Sequence, residues 1–146
     1  MARVKIDMPD QYAFSMQIPV RIQDVNYGGH VGNDAILSMI HDARVQFLKS
    51  LGASELDAFG AGLIMADVAI VYKNESFHGD ILQFEVCASE FSAFGFDLFY
   101  KVSTRREGKD LLIAEAKTGM VCFDYTQRKI TKVPAALKAA MEIKES

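Results

Sequence analysis

The feature that most constrains the fold of this chain is one long, strongly apolar helical pattern between residues 33 and 51. Its apolar positions recur at intervals of three and four residues, which is the spacing of one face of an α-helix. The stripe is wide enough that protein should cover most of the helix, and Gly52 is a natural stop at its C-terminal end. The rest of the chain must therefore supply a large apolar surface for this helix. The stripe consists of Ala35, Ile36, Met39, Ile40, Ala43, Phe47, Leu48 and Leu51.

Strand patterns precede and follow the helix. Between residues 12 and 22 every even position is apolar, which is the period-2 pattern of a strand with one buried face. If this alternation continued, Asp24 and Asn26 would also point to the buried side, where an unpaired polar group costs roughly 2–7 kcal/mol. Four strand patterns follow the helix, and the first is apolar on both faces, as a central strand would be. These four patterns cover residues 63–73, 81–91, 94–105 and 111–125.

Two shorter helices complete the predicted order of elements. A helical turn is expected near Ser54, and a C-terminal helix is expected from about Pro134 to Ile143. The sequence of one strand, one long helix and four consecutive strands favours an antiparallel meander wrapped around the helix. We therefore predict an α+β architecture and a single domain over residues 1–146.

Composition excludes several classes of function. The net charge of −3 gives no basic surface for nucleic acid or for an anionic membrane. The apolar runs are shorter than the roughly 20 residues of a membrane span, and no apolar signal region begins the chain, so a cytoplasmic location is expected. Cys87 and Cys122 lie on separate strand patterns without metal-ligand spacing. We expect two buried free thiols and no metal site.

The junction between the first strand and the long helix is rich in polar residues and glycine. It runs from Asp24 to Asp34. Gly28 and Gly29 allow a sharp turn and a close approach of a ligand to the backbone. The N–H groups at the start of a helix lack intrahelical partners and favour negative charge. We therefore predict that this junction binds an oxygen of a substrate through the backbone, at Gly28, Gly29, Val31, Gly32 and Asn33.

The same junction carries a resemblance to a known family. The run from Val20 to Ala35, continuing without a gap to Ala43-Arg44 and Leu48, resembles the hot-dog fold thioesterases of the 4-hydroxybenzoyl-CoA thioesterase type. That family shows Asp-x-Asp, a Gly-His or Gly-Val at the helix entrance, and Ala-Arg two turns into the helix. Gly79-Asp80 resembles a further Gly-Asp of the family.

The resemblance implies a fold, an activity and an assembly. It implies an antiparallel sheet wrapped around one central helix, and hydrolysis of acyl-CoA thioesters to free acid and CoA at a site between two subunits. The substrate is then a small acyl-CoA molecule, no metal or redox cofactor takes part, and the protein is a homodimer or homotetramer.

Two positions depart from the family pattern. The second acid of Asp-x-Asp, which the family uses as nucleophile or general base, is Asn26 here. A glutamate that many members carry on the helix is replaced by His41. Local bases could compensate, because His30, Asp34, Ser38 and His41 are spaced to share one helical stripe. We therefore take Asp24, Asn26, His30, Asp34 and His41 as the candidate catalytic residues.

Three of these candidates also have an alternative interpretation. Asn26 could orient water or donate to the thioester oxygen, or it could simply pin the loop through backbone bonds. His41 could act as a base or could pair with a neighbouring acid such as Asp34 or Asp42. Asp24 could take part in the chemistry or could brace the loop.

Two other functions remain open at this stage. An (R)-specific enoyl-CoA hydratase of hot-dog fold has the motif Asp-x-Asn-Pro-x-His; Asp24-Val25-Asn26 fits its first half, but the proline is missing and one extra residue precedes His30. The absence of the family carboxylate is also compatible with a non-catalytic dimer that binds acyl-CoA.

Overall fold

The computed structural model describes residues 3–143, which form one antiparallel sheet and two helices. The strands are β1 (Phe14–Pro19), β2 (Gly62–Tyr72), β3 (Ile81–Ser89), β4 (Gly95–Arg106), β5 (Lys109–Asp124) and β6 (Lys129–Ile130). The helices are α1 (Asn33–Ser50) and α2 (Ala135–Met141), and a short 3-10 turn spans Ile22–Asp24. The predicted domain of 1–146 includes residues 1, 2 and 144–146, which lie outside the described residues. The α+β architecture is confirmed.

The order of strands in the sheet differs from the predicted meander. The order is β1-β3-β4-β5-β2, and β6 pairs with the end of β5. Strands β3, β4 and β5 do form a meander, but β2 pairs with β5 at one edge of the sheet instead of lying at its centre. The apolar pattern of β2 could not distinguish the two positions, because an edge strand with exposed apolar residues has the same pattern as a covered central strand. The exposed apolar residues of β2 are Ile64, Met65, Val68 and Tyr72.

The core lies between α1 and the sheet. One side of the helix is buried against the sheet, whereas Leu37, His41 and Val45 on its other side are exposed. The helix is therefore less completely covered than the width of its apolar stripe predicts, because this chain alone covers only one side. The buried side of α1 consists of Ile36, Met39, Ile40, Ala43, Arg44, Phe47 and Leu48.

Local structure at two other places tests the sequence patterns. Strand β1 ends at Pro19, so the alternation stops before the junction: Ile22 is exposed, Asp24 is buried and Asn26 is exposed. The predicted helical turn near Ser54 is wrong. The Ser54 hydroxyl accepts the N–H of Asp57, as in a helix cap, but the residues that follow form a loop.

Both cysteines are buried and free, as predicted. Burial raises the pKa of each thiol to about 11. No helix within residues 3–143 is long and apolar enough to cross a membrane.

Candidate active site

The junction before α1 is a tightly bonded loop. The N–H of Asn26 donates to the carbonyl of His30 at 2.9 Å, and the N–H of Gly32 donates to the carbonyl of Asp24 at 3.0 Å. The N–H of Val31 donates to the carbonyl of Ser76, which lies beyond β2, at 2.8 Å. These bonds fix the loop to itself and to a distant part of the chain, so its side chains start from a defined backbone.

Asn26 is used first to shape the loop. Its Oδ1 accepts the N–H of Gly28 at 2.9 Å, which closes a short turn. The side chain is nevertheless exposed. The structural role foreseen for Asn26 is therefore present, and its amide nitrogen donates to no acceptor within residues 3–143.

His30 lies beside this turn with its two ring nitrogens in different surroundings. Nδ1 is 3.1 Å from the carbonyl oxygen of Val31, which can only accept a hydrogen bond, so in the neutral ring Nδ1 carries the proton. Nε2 then holds a free lone pair and lies 3.9 Å from Oε1 of Glu75. The ring packs over Gly28, where a Cβ atom would lie 3.1 Å from Nε2. In this tautomer Nε2 is the ring nitrogen that can accept a proton.

Asp34 lies in the first turn of α1, close to the same loop. A Cβ atom at Gly32 would lie 2.5 Å from Oδ1 of Asp34 and 3.7 Å from Cβ of Asn26. A side chain at Gly32 would therefore displace the Asp34 carboxylate, although its φ of −70° suits any residue. Asn26, His30 and Asp34 are thus brought together around two glycines.

Fewer backbone N–H groups are free to bind a substrate at the entrance of α1 than the sequence predicts. Four of the five predicted backbone donors already bond within the protein: those of Gly28 and Gly29 to Asn26, that of Val31 to Ser76, and that of Gly32 to Asp24. These four N–H groups shape the loop, and a role for the same residues in holding substrate stays a prediction. No acceptor within residues 3–143 bonds the N–H groups of Asn33, Asp34 and Ala35. These helix-entrance donors remain open.

Asp24 does not face this cluster. Its side chain is buried, and its carboxylate accepts the backbone N–H of Arg21 at 2.8 Å and the guanidinium of Arg21 at 3.3 Å. Both oxygens are therefore occupied in bracing the 3-10 turn. The bracing interpretation of Asp24 matches this geometry better than a chemical role.

His41 also lies elsewhere. Its Nε2 is 3.7 Å from Oε2 of Glu55, and its side chain is more than half exposed. Together with Ser38 and Asp42 it lines a groove of about 630 Å³ between β1 and α1. The predicted stripe from His30 to His41 is thus divided, because its first two members lie at the helix entrance and its last two in a separate groove.

A cavity of about 180 Å³ opens beside His30 and contains residues that the sequence did not single out. Tyr72, at the end of β2, donates its hydroxyl hydrogen to the carbonyl of Asn33 at 3.1 Å. Burial, and secondarily the charge of Asp34, raises the pKa of Tyr72. Glu75 lies three residues further along. Tyr72 and Glu75 belong to this region only because the end of β2 contacts the entrance of α1 in the folded chain. The periodicity of the sequence does not predict that contact.

The residues of this region do not suggest a metal site. Within residues 3–143, no group of three or more His, Cys, Asp and Glu side chains is arranged to hold a metal ion.

Sequence comparison identifies the family. A family model described as the thioesterase-like superfamily matches residues 20–141 of the chain. The chain belongs to the thioesterase-like superfamily. No curated protein matches this sequence significantly. Membership in the superfamily supports thioester hydrolysis as the class of reaction.

Solved structures show the fold of this thioesterase-like chain. It is similar to 1,4-dihydroxy-2-naphthoyl-CoA thioesterase from Synechocystis, with 24% identity and a TM-score of 0.76 over 88% of this chain and 94% of that chain. It is also similar to 4-hydroxybenzoyl-CoA thioesterase from Pseudomonas sp. strain CBS-3, with 18% identity and a TM-score of 0.77 over 89% and 99% of the two chains.

A third similar structure carries a relevant substitution. It is an aspartate-to-asparagine mutant of 4-hydroxybenzoyl-CoA thioesterase in complex with 4-hydroxybenzoyl-CoA, with 19% identity and a TM-score of 0.79 over 88% and 98% of the chains. At these identities the three structures establish the architecture, and the predicted hot-dog fold is confirmed.

Proposed function

We propose that this chain hydrolyses acyl-CoA thioesters to the free acid and CoA at the entrance of α1. The observation that carries the proposal is that two features lie at the same helix entrance. The N–H groups of Asn33 and Asp34 have no acceptor within residues 3–143, and the Nε2 lone pair of His30 accepts no hydrogen bond there. Superfamily membership supports a thioester hydrolase, and the CoA esters named for two similar structures support acyl-CoA as the substrate class.

The open N–H groups would receive the thioester oxygen. In the tetrahedral intermediate this oxygen becomes negatively charged, and the positive end of the α1 dipole favours that charge. Preorganised backbone donors of this kind act without reorganising during the reaction, so they stabilise the transition state more than the ground state. The carbonyl of the substrate would then lie above Asn33.

His30 would act as the general base. Its Nε2 takes a proton from water while the water oxygen attacks the thioester carbon, and the exposed amide of Asn26 helps to orient that water. When the intermediate collapses, the C–S bond breaks and the departing thiolate takes the proton from Nε2. The products are a carboxylic acid and the CoA thiol, and the reaction consumes one water without a metal or redox cofactor. Asp34 is the remaining candidate base at this position.

A homodimer would complete the site. Within residues 3–143, edge strand β2 pairs only with β5, so one row of its backbone N–H and C=O groups has no strand partner there; edges of this kind are normally covered. Its exposed apolar residues include Tyr72, which also lines the cavity beside His30. A second copy that pairs along β2 would therefore reach the candidate site. Sedimentation equilibrium tests this proposal, and a monomer at micromolar concentration would contradict it.

The function is tested by measuring release of free thiol from a panel of acyl-CoAs that covers short, long and aromatic acyl groups. Hydration of crotonyl-CoA is followed in parallel on the same preparation. We expect thiol release that depends on His30, with His30→Ala as the control of reduced activity. Hydration of crotonyl-CoA without thiol release would contradict the proposal and favour the hydratase.

The second candidate function is binding of acyl-CoA without turnover. Asn26 favours it, because an amide at this position cannot act as a nucleophile or base, and a mutant with asparagine in place of an aspartate is found in complex with its CoA ester among the similar structures. The hydratase is less well supported, since both oxygens of Asp24 are held by Arg21. Micromolar binding of an acyl-CoA, measured by calorimetry with no thiol release over hours, would establish binding alone.

A further inference from the structure

We infer that Glu75 is a positioning residue for His30 and places a carboxylate beside the proposed base. The inference rests on the proposed function and assigns to this site a residue far from it in sequence. Oε1 of Glu75 lies 3.9 Å from Nε2 of His30, and both residues line the cavity beside the helix entrance. The Glu75 carboxylate therefore lies beside the nitrogen that becomes positively charged when His30 accepts a proton from water.

The turn that carries Glu75 is firmly held, although the side chain itself is about two thirds exposed. The N–H of Asn74 donates to the carbonyl of Ile113 at 3.3 Å, and its side-chain amide donates to the carbonyl of Leu112 at 2.7 Å. On the other side, the carbonyl of Ser76 accepts the N–H of Val31 at 2.8 Å. The last bond joins the turn directly to the residue that follows His30.

Arg106 adds a second support from β4. Its Nη2 donates to the backbone carbonyl of Glu75 at 3.3 Å and to Oδ2 of Asp80 at 2.6 Å. The same Asp80 oxygen accepts the N–H of Phe77 at 2.9 Å. The connection between β2 and β3 is thereby fixed on both sides of Glu75, so its carboxylate starts from a defined position.

The cationic side chains near Glu75 pair with other carboxylates, so they do not compete with His30 for the Glu75 carboxylate. Lys73 is the nearest cation in sequence, but its Nζ lies 3.7 Å from Oε1 of Glu115. The guanidinium of Arg106 pairs with the carboxylate of Asp80, not with that of Glu75. Within residues 3–143, His30 is the only group that forms an ion-pair contact with Glu75.

A double-mutant cycle tests whether the carboxylate acts through His30. Glu75→Gln should lower kcat for acyl-CoA hydrolysis about tenfold and leave KM within about twofold, because the charge matters once His30 is protonated. The matched control is Glu107→Gln in the exposed β4–β5 turn, which should leave both constants unchanged. Thermal melts of all variants show that they are folded.

The cycle is completed with Asn26→Asp, which places a carboxylate in the turn beside the His30 ring. In the Asn26→Asp background, Glu75→Gln should lower kcat by less than about threefold, since the new carboxylate can pair with protonated His30 in place of Glu75. An equal loss in both backgrounds, or no loss in the native background, overturns the inference while the proposed function stands. A wild-type chain that releases no thiol overturns the proposed function instead.

A measurement independent of turnover addresses the contact itself. The chain has three histidines, so the ring nitrogens can be assigned in a long-range ¹⁵N spectrum. The Nε2 shift of His30 should move in Glu75→Gln and stay in place in Glu107→Gln. An unmoved His30 shift overturns the inference whatever the activity.

Discussion

The entrance and the middle of α1 each carry a histidine near a glutamate, but the two pairs lie in opposite surroundings. At the entrance, Nε2 of His30 is 3.9 Å from Glu75, and neither that nitrogen nor that carboxylate has another partner within residues 3–143. In the middle, Nε2 of His41 is 3.7 Å from Glu55, whose other oxygen is already held by Arg44 at 2.6 Å. The two histidine–glutamate distances are nearly equal, so distance alone does not distinguish the pairs.

The polar groups around Glu55 satisfy one another. Arg44 is buried and also reaches the Tyr100 hydroxyl at 3.4 Å, while Tyr100 and Thr118 share a hydrogen bond of 2.8 Å. This network joins the helix to β4, to β5 and to the loop before β2. The comparison teaches that saturated polar groups stabilise the fold, whereas groups left with a free lone pair or an open N–H are available for chemistry.

The largest effect is expected in the saturated region. Arg44→Met should lower the free energy of unfolding by about 2–3 kcal/mol, which is below the usual range for a fully buried pair because Glu55 is one third exposed. Urea unfolding measures this change. Lys49→Met, at an exposed position of the same helix, should cost less than about 1 kcal/mol. A loss of kcat in a fully folded Arg44→Met protein would break the distinction between the two regions.

The next effect concerns the open region and falls on activity. His30→Ala should lower kcat at least about tenfold, or about 1.4 kcal/mol of transition-state stabilisation, because the proposed base is lost. Asn26→Ala should do the same through loss of the loop turn and of the water-orienting amide. Steady-state thiol release measures both, and thermal melts should show little change. Wild-type rates in both variants would remove this loop from the mechanism.

A smaller effect is expected at the contact between β2 and α1. Tyr72→Phe removes the hydrogen bond to the Asn33 carbonyl, which is worth about 1 kcal/mol, or roughly fivefold in rate. We expect kcat to fall and KM to stay, because the oxygen-binding N–H of Asn33 is less well positioned. An increase in KM alone would instead identify Tyr72 as a substrate contact.

The smallest effect is expected at His41, and it tests the comparison between the two histidine–glutamate pairs most directly. His41→Gln should change kcat less than about twofold and the free energy of unfolding less than about 0.5 kcal/mol, because the pair with Glu55 is exposed. Both are measured under the conditions used for His30→Ala. A tenfold loss of activity would show that the groove along β1 belongs to the active site, and the division of the helix would then be wrong.

Local patterns in the sequence determined most of the elements. The predicted helix from Asn33 to about Leu51 is observed as Asn33–Ser50, and the meander of β3, β4 and β5 follows the predicted segments closely. The burial of Cys87 and Cys122 was also predictable. These features depend on apolar periods of two and 3.6 residues. Such periods can be recognised from residues close together in the sequence, whatever the rest of the fold.

Only the tertiary structure decided how these elements meet. Asn26, His30 and Asp34 converge on two glycines, whereas Asp24 turns to Arg21 and His41 to Glu55. Strand β2 lies at an edge, and its end brings Glu75 beside His30. The order of strands and the direction of side chains depend on contacts between distant parts of the chain. A polar strand-to-helix junction can therefore be recognised from its residues, but which of its groups remain free to react is set by the partners that folding provides.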